Sequence, residues 1–433
     1  MSSHIWYPFT QAKTAPLPLS VKSAQGVWLE LDDGRKLLDC ISSWWVNLHG
    51  HAHPAIAEAI FRQAKQLEHV IFAGFTHAPA EQLADQLIPQ LPDGLSRVFF
   101  SDNGSTAVEV ALKMAYQYWS NQGQPRTTFL AFDGAYHGDT FGAMAVGSRS
   151  IFSDVFADLL FEVEFLPFPA TYRGDDSVLE TEAQVLTQLE QKLQHQPDRY
   201  AGVIIEPLVQ GAGGMRMCRP EFLQQVRRMT RQADVLLLFD EVMTGFGRTG
   251  DWFASKRAEV TPDIICLSKG LTGGFLPMSL TVCSEAIYAA FYSDDPLKTL
   301  YHGHSYTANP LGCAAALASL QLMHENEAAF RTMEAKHWRH LDALQEYPNL
   351  KNCRVTGTIA AMDIITADQP GYLNRVALEV RQQAIERGLL LRPLGNVLYL
   401  MPPYCITDDE LAFVYEGIAA ILKTLMESAE RPV

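Results

Sequence analysis

Lys269 has the clearest chemical setting in the chain. It follows the apolar run 263–268 and precedes Gly270-Leu271-Thr272-Gly273-Gly274. A lysine at the C-terminal end of a buried strand, opening into a glycine-rich turn, is badly placed for a solvated charge. It is well placed to form a Schiff base, because burial lowers an ammonium pKa and leaves a nucleophilic amine. Upstream, the apolar run 235–239 ends in Asp240-Glu241, a carboxylate pair at another strand end. Lysine plus a buried acid is the pairing required by pyridoxal phosphate, whose ring nitrogen takes an acidic partner.

Other strand ends offer further groups. Gly104 and Ser105, in Ser101-Asp102-Asn103-Gly104-Ser105-Thr106, join a strand to a helix. Such residues cap the helix and can aim backbone N–H groups at an anion; the alternative is a plain N-cap. Tyr136 lies between Gly134 and Gly138, where its ring can lie flat on a bound ring or be half buried in a loop. His137 reads equally as a satisfied core histidine. Glu206 places a third acid at a strand end, where ligands of such sheets bind; the alternative is a loop acid bonded to backbone. Asp240 and Val242 are two apart, so a continuing strand puts both on one side and lets Val242 support a ring. Trp44-Trp45 is core or an apolar wall, with core the reading from the residues alone. Arg392 ends the apolar run 388–391 and either clamps a carboxylate bidentately or covers a domain edge.

Two motifs point elsewhere. Gly245-Phe246-Gly247-Arg248-Thr249-Gly250 matches the G-x-G-x-x-G of nicotinamide-dependent oxidoreductases. Its context opposes that class. Two acids and further residues separate strand from glycine, residues 251–253 open no clear helix, and Asp263 begins a strand where a ribose-binding acid ends one. That class also leaves Lys269 without a task. His49, His51 and His53 form H-x-H-x-H, but the stretch lacks cysteine and reads as a loop, so no metal is expected.

These groups need a frame, and the pattern supplies an α/β one. A hairpin spans 26–40. Helices over 54–67, 79–88, 106–119 and 221–231 alternate with strands over 97–100, 127–132, 201–205 and those ending at Asp240 and Leu267. Such alternation favours a mostly parallel sheet covered by helices. A long helical stretch follows residue 311, then strands near 359–364 and 397–401 and a closing helix over 410–426. The expected organisation is a large domain over 54–315 and a smaller α+β domain built from 1–53 and 316–433.

Bulk properties narrow the class. The 433 residues are 48% hydrophobic and 19% charged, enough for a sizeable core. A net charge of −15 opposes nucleic acid or anionic membrane as partner. Seven cysteines without a CxxC read as reduced thiols of a cytoplasmic protein. The N-terminus shows no signal-peptide pattern, and no apolar stretch is long enough to span a bilayer.

The run 240–248, with Ser268-Lys269-Gly270, resembles the class III aminotransferases, pyridoxal-phosphate enzymes of fold type I. The likeness covers nearly the whole chain. Residues 4–10 (His-Ile-Trp-Tyr-Pro-Phe-Thr), 42–45 (Ser-Ser-Trp-Trp), 210–215 (Gln-Gly-Ala-Gly-Gly-Met), Arg392-Pro393 and 400–404 (Leu-Met-Pro-Pro-Tyr) resemble its biotin-synthesis branch. That branch aminates 8-amino-7-oxononanoate to 7,8-diaminononanoate.

The resemblance implies a ping-pong transamination and a homodimer with shared active sites. It implies that Lys269 carries the cofactor and Asp240 meets its ring nitrogen. Tyr136 stacks on the ring, with Glu206 and Val242 beside it. Gly104 and Ser105 hold the phosphate, helped by His304 and Ser305 reaching in from a neighbouring subunit. Phe9, Trp44, Trp45, Tyr136, Asp139, Gly303 and Arg392 meet substrate. Two positions depart from the family pattern. Phe9 stands where members using S-adenosyl-L-methionine carry tyrosine, so the amino donor is adenosylmethionine or lysine. His304 stands where proline is common. The nearest rival is a class III ω-amino acid:pyruvate aminotransferase.

Overall fold

The computed structural model describes residues 4–429; residues 1–3 and 430–433, which the sequence reading assigned to the smaller domain, lie outside the described residues. Seven strands form the central sheet in the order Leu95–Ser101, Ser279–Ser284, Ile264–Leu267, Leu236–Asp240, Tyr200–Ile205, Thr128–Phe132 and Val163–Leu166. Ser279–Ser284 runs antiparallel to both its neighbours, and the other pairs are parallel. Leu236–Asp240 and Tyr200–Ile205 are buried at every position, as expected where helices cover both sheet faces.

Register brings the chemistry to one edge. Asp240 lies opposite Cys266, and Phe239 lies opposite both Ile205 and Ile265. The three strands therefore finish together, and Glu206, Asp240 and Lys269 emerge side by side. Helix Gly104–Asn121 starts at the end of strand Leu95–Ser101, two residues earlier than the sequence suggests. Asn103 explains the difference. Its side chain accepts the Thr106 N–H at 3.0 Å while its own N–H donates to Thr106 Oγ1 at 3.2 Å, a reciprocal cap that recruits Gly104 and Ser105 into the first turn.

The two ends of the chain meet. Strands Val21–Gln25, Trp28–Leu31 and Lys36–Asp39 form a sheet whose fourth strand is Leu389–Leu390, parallel to Lys36–Asp39. Leu350–Thr356, Ile359–Ile364 and Val397–Leu400 form a separate antiparallel sheet. Among the described residues, no helix is long and apolar enough to cross a membrane.

Arg248 joins these ends to the central sheet. Its guanidinium is buried and forms no ion pair among the described residues; it donates instead to the main-chain oxygens of Pro402 at 3.1 Å, Asn47 at 3.2 Å and Trp45 at 3.5 Å. It also lies 5.2 Å from the Tyr404 ring centre. Burial lowers its pKa, with Tyr404 and Asp39 opposing. Three carbonyls that would otherwise be buried without donors depend on one planar fork. Arg248→Met leaves them unpaired, at about 1–3 kcal/mol each, so its thermal midpoint should fall by several degrees. Arg248→Lys should recover only part, because an ammonium lacks the planar fork. An unchanged midpoint in Arg248→Met would show that the fork holds nothing in place.

Candidate active site

A cavity of about 900 Å³ opens beyond the common edge of the strands. Its wall includes Phe9, Trp44, Trp45, Gly104, Ser105, Tyr136, Asp139, Glu206, Asp240, Val242, Lys269 and Arg392. Twelve residues singled out from the sequence thus share one space. Gly303, His304 and Ser305 do not line it. Gly303 and Ser305 are exposed on the segment leading to helix Pro310–Glu325, and the His304 N–H donates to Thr307 Oγ1 at 3.1 Å.

Lys269 begins a short helical turn, Lys269–Thr272, directly beyond the strand and Ser268. Its φ of 42° lies in the left-handed region that disfavours a side chain, a strain of order 1–3 kcal/mol. The strain turns the chain sharply at the sheet edge. Nζ lies 5.0 Å from the Trp45 ring centre. Burial lowers the amine pKa; the charges of Asp240 and Glu206 oppose that, and Arg248 adds to it. The net effect favours the neutral, nucleophilic amine.

Asp240 is held from both sides. Oδ2 meets His137 Nδ1 at 2.7 Å, and Oδ1 accepts the Val242 N–H at 3.0 Å. Burial alone would lower the His137 pKa, but the hydrogen bond and charge of Asp240 outweigh it, and the net shift is upward. The carboxylate thus shifts the imidazole toward its protonated form. The sequence left His137 open as a core histidine; nothing in its local spacing reveals Asp240 as its partner. Strand Leu236–Asp240 ends at Asp240, which corrects the expectation that Asp240 and Val242 share a strand face. The backbone turns back on the Asp240 side chain, yet both residues still reach the cavity.

Glu206 combines its two readings. It lines the cavity, and its carboxylate accepts N–H groups from Tyr136 at 3.1 Å and Gly211 at 3.1 Å. It thereby fixes the loop that carries Tyr136. The Tyr136 phenol hydrogen-bonds to Asp139, and burial followed by that carboxylate raises its pKa. Asp139 N–H donates to Ser105 Oγ at 3.2 Å, tying this loop to the start of helix Gly104–Asn121. Glu241, the other acid of the pair, faces away from the chemistry. It accepts N–H groups from Ala254 and Ser255 at 2.6 and 2.7 Å.

These residues fit pyridoxal phosphate. A Cβ on Gly104 would stand 2.6 Å from Val242 Cγ1, so only glycine lets the helix start come this close to Val242. The first-turn N–H groups of an 18-residue helix lack intrahelical partners and suit a phosphate. A buried carboxylate suits a pyridine nitrogen, and the Lys269 amine shares the same cavity.

The aromatic end is built from distant segments. Trp45 is buried and donates from Nε1 to the Tyr399 hydroxyl at 2.9 Å, while Trp44 stays 41% exposed on the wall. Both rings line the cavity, Trp45 as a buried residue and Trp44 as an exposed one. The Arg392 guanidinium lies 4.4 Å from the Trp44 ring centre, and Phe9 meets the same ring at 5.7 Å. Tyr399, Phe152 and Tyr372 also line the cavity and carried no signal in the sequence.

The competing motifs resolve into structure. Residues 245–250 do not line the cavity, and the next helix, Ala254–Arg257, has four residues. The glycine run instead houses Arg248. His49 Nε2 meets Ser319 Oγ at 3.0 Å and His51 Nε2 meets Asp39 Oδ2 at 2.9 Å.

The chain matches the family described as Aminotransferase class-III over residues 9–422. It is 62% identical to the adenosylmethionine-8-amino-7-oxononanoate aminotransferase of Synechococcus elongatus, covering 97% of this chain and 98% of the relative. The enzyme of that name from Geobacter sulfurreducens is 40% identical over 98% and 96% of the two chains. Among solved structures, that of Methanocaldococcus jannaschii bearing the same name superposes with a TM-score of 0.90 at 34% identity, covering 97% of each chain. An amine transaminase from an uncultivated Pseudomonas species, solved in its PLP-bound form, gives 0.90 at 31% identity over 98% and 99%.

Glu206 generates a pH dependence. Burial lifts its pKa from 4.5 to about 7, with Asp240 adding to the rise and His137 and the two N–H bonds opposing it. The folded protein therefore keeps this proton after the unfolded chain has released it. The resulting stabilisation is complete below the unfolded value and is lost as pH rises through about 7. The thermal midpoint of wild type relative to Glu206→Gln should fall between about pH 5 and about pH 7, then level off. A difference that stays flat over this window would mean that Glu206 is already ionised throughout.

Proposed function

This chain belongs to the class III aminotransferases, and on that premise we propose that it aminates 8-amino-7-oxononanoate to 7,8-diaminononanoate, a step of biotin synthesis. The observation that carries the reading is the placement of Lys269 and Asp240 beyond two neighbouring parallel strands, in one cavity with Arg392. Pyridoxal phosphate, when bound, supplies the electron sink for bond breaking at the carbon that bears the amine. Gly104 and Ser105 would hold its phosphate, Asp240 its ring nitrogen and Lys269 its aldehyde group, with Tyr136 beside the ring.

The residues of the chain divide the work. Asp240, braced by His137, would keep a proton on the ring nitrogen. Lys269 Nζ would move a proton at the substrate carbon that bears the amine, acting as base and then as acid. Glu206 keeps Tyr136 in place. Arg392 receives the acceptor's carboxylate, and Trp44 and Trp45 flank its alkyl chain. Adenosylmethionine is the amino donor in this reading, in line with the names of the relatives. Lysine is the alternative donor, because the Phe9 ring, which contacts Trp44 and Phe152, has no hydroxyl to hydrogen-bond adenosylmethionine. The active unit is a cytoplasmic homodimer in which Gly303, His304 and Ser305 complete the site of the other subunit.

Purified holoenzyme should aminate 8-amino-7-oxononanoate in preference to pyruvate; preference for pyruvate would assign the chain to the ω-amino acid branch. Loss of the visible cofactor band on adding adenosylmethionine, with none on adding lysine, identifies the donor, and the reverse result identifies lysine. Lys269→Ala should retain bound cofactor and lose turnover by more than about 10³-fold, as expected for a residue that is both nucleophile and base. Wild-type turnover in that variant would end the proposal. Arg392→Ala should raise KM for 8-amino-7-oxononanoate by about 10- to 100-fold and leave short uncharged amines unaffected. If short amines suffer equally, Arg392 does not bind the carboxylate.

A further inference from the structure

One ring contact in the cavity wall is accounted for neither by the chemistry nor by core packing. Phe152 follows helix Phe141–Val146, and Tyr372 lies on the loop before helix Val376–Glu386. Their rings meet edge to face, with centroids 4.8 Å apart and planes at 80°. Phe152 meets Phe9 in the same way at 5.8 Å. Phe9 then meets Trp44, so an unbroken aromatic arc runs from Tyr372 to Arg392. Tyr372, Phe9 and Trp44 remain 39%, 47% and 41% exposed. Contiguous exposed aromatic surface around a cavity marks a place where a ligand excludes water.

Phe152 and Tyr372 also line a second depression of about 730 Å³. The pair is therefore a partition between the reaction cavity and an outer recess. The Tyr372 loop is fixed in place. Buried Asn374 donates to Thr366 Oγ1 at 2.8 Å and Gln369 O at 3.1 Å. Gly371 N–H donates to Asn396 Oδ1 at 2.9 Å. Gly395, at φ 61°, has no room for a Cβ beside the Gly371 carbonyl. The loop thus rests on the segment that carries Arg392.

We infer that Phe152 and Tyr372 form a collar that selects substrates by chain length. It presents apolar ring surface to the methylenes of long-chain amines and keto acids, a surface that short substrates do not reach. The inference deepens the proposed function and rests on it for the long acceptor, but its test does not require that acceptor.

Half-reactions of the holoenzyme with straight-chain primary amines, from propylamine to nonylamine, are followed by the visible cofactor band. In wild type, the half-saturating concentration should fall roughly fourfold per methylene once the chain reaches the collar. Tyr372→Ala and Phe152→Ala, on two separate segments, should each flatten that slope, weakening nonylamine by about tenfold and leaving propylamine unchanged. Tyr372→Phe keeps the ring and should keep the wild-type profile. The collar is overturned by a wild type without length dependence, by an unchanged slope in both alanine variants, or by equal losses at every length. A wild type that shows the length profile but does not aminate 8-amino-7-oxononanoate removes the proposed function and leaves the collar standing.

Discussion

Much of this structure depends on a guanidinium buried without a counter-charge. Carbonyls from residues near both ends of the chain accept from the two Arg248 Nη groups, so its charge costs less than an unpaired ion would. The arrangement has consequences for the site. Trp45, whose carbonyl Arg248 holds, faces the Lys269 amine, and Pro402 follows the strand Val397–Leu400 that carries Tyr399. The wall opposite the strand ends is thus positioned by the same fork that joins N-terminal and C-terminal segments to the central sheet. The positive charge also acts on the chemistry, because it adds to the downward shift of the Lys269 pKa.

A second constraint follows from concentrating charge in a buried place. Glu206, Asp240, His137 and Lys269 line this cavity together, and each resolved shift among them reflects its neighbours. Asp240 receives an imidazole partner in His137. Glu206 has only main-chain N–H donors in direct contact, and burial pushes it upward. Similar carboxylates at similar strand ends therefore differ in their partners. Asp240 is paired with an imidazole and reaches the cavity, and Glu206 stays mostly protonated below about pH 7 while it holds the Tyr136 loop. Local partners separate these two functions.

The parts legible in the sequence are those with short-range causes. Lys269, Asp240 and Glu206 follow apolar runs, and strand ends in a parallel sheet converge whatever the loops do. The helix starting at Gly104 was legible through its cap, although the first two residues were assigned to the loop. What escaped depends on long-range contact. His137 beside Asp240, Tyr399 beside Trp45 and Tyr372 beside Phe152 each join residues far apart in the chain. Strand Leu350–Thr356 also escaped, because Lys351, Asn352 and Arg354 break any apolar alternation. The G-x-G-x-x-G run shows the opposite failure. Its pattern is real, but its glycines serve a tight buried turn around Arg248 rather than a phosphate.

Chemistry and selectivity occupy different parts of this fold. The reacting groups sit at strand ends, where parallel register leaves them little freedom. The aromatic arc comes from the N-terminal segment, the loop after Phe141–Val146 and the loop before Val376–Glu386, none of which belongs to the central sheet. Changes there can reshape the cavity without moving Lys269 relative to Asp240. Residues at the arc, such as Phe9, are therefore free to differ between chains that share the same reaction. A shared family identifies the bond that is broken; the loops around Tyr372 and Phe152 govern which molecule reaches it.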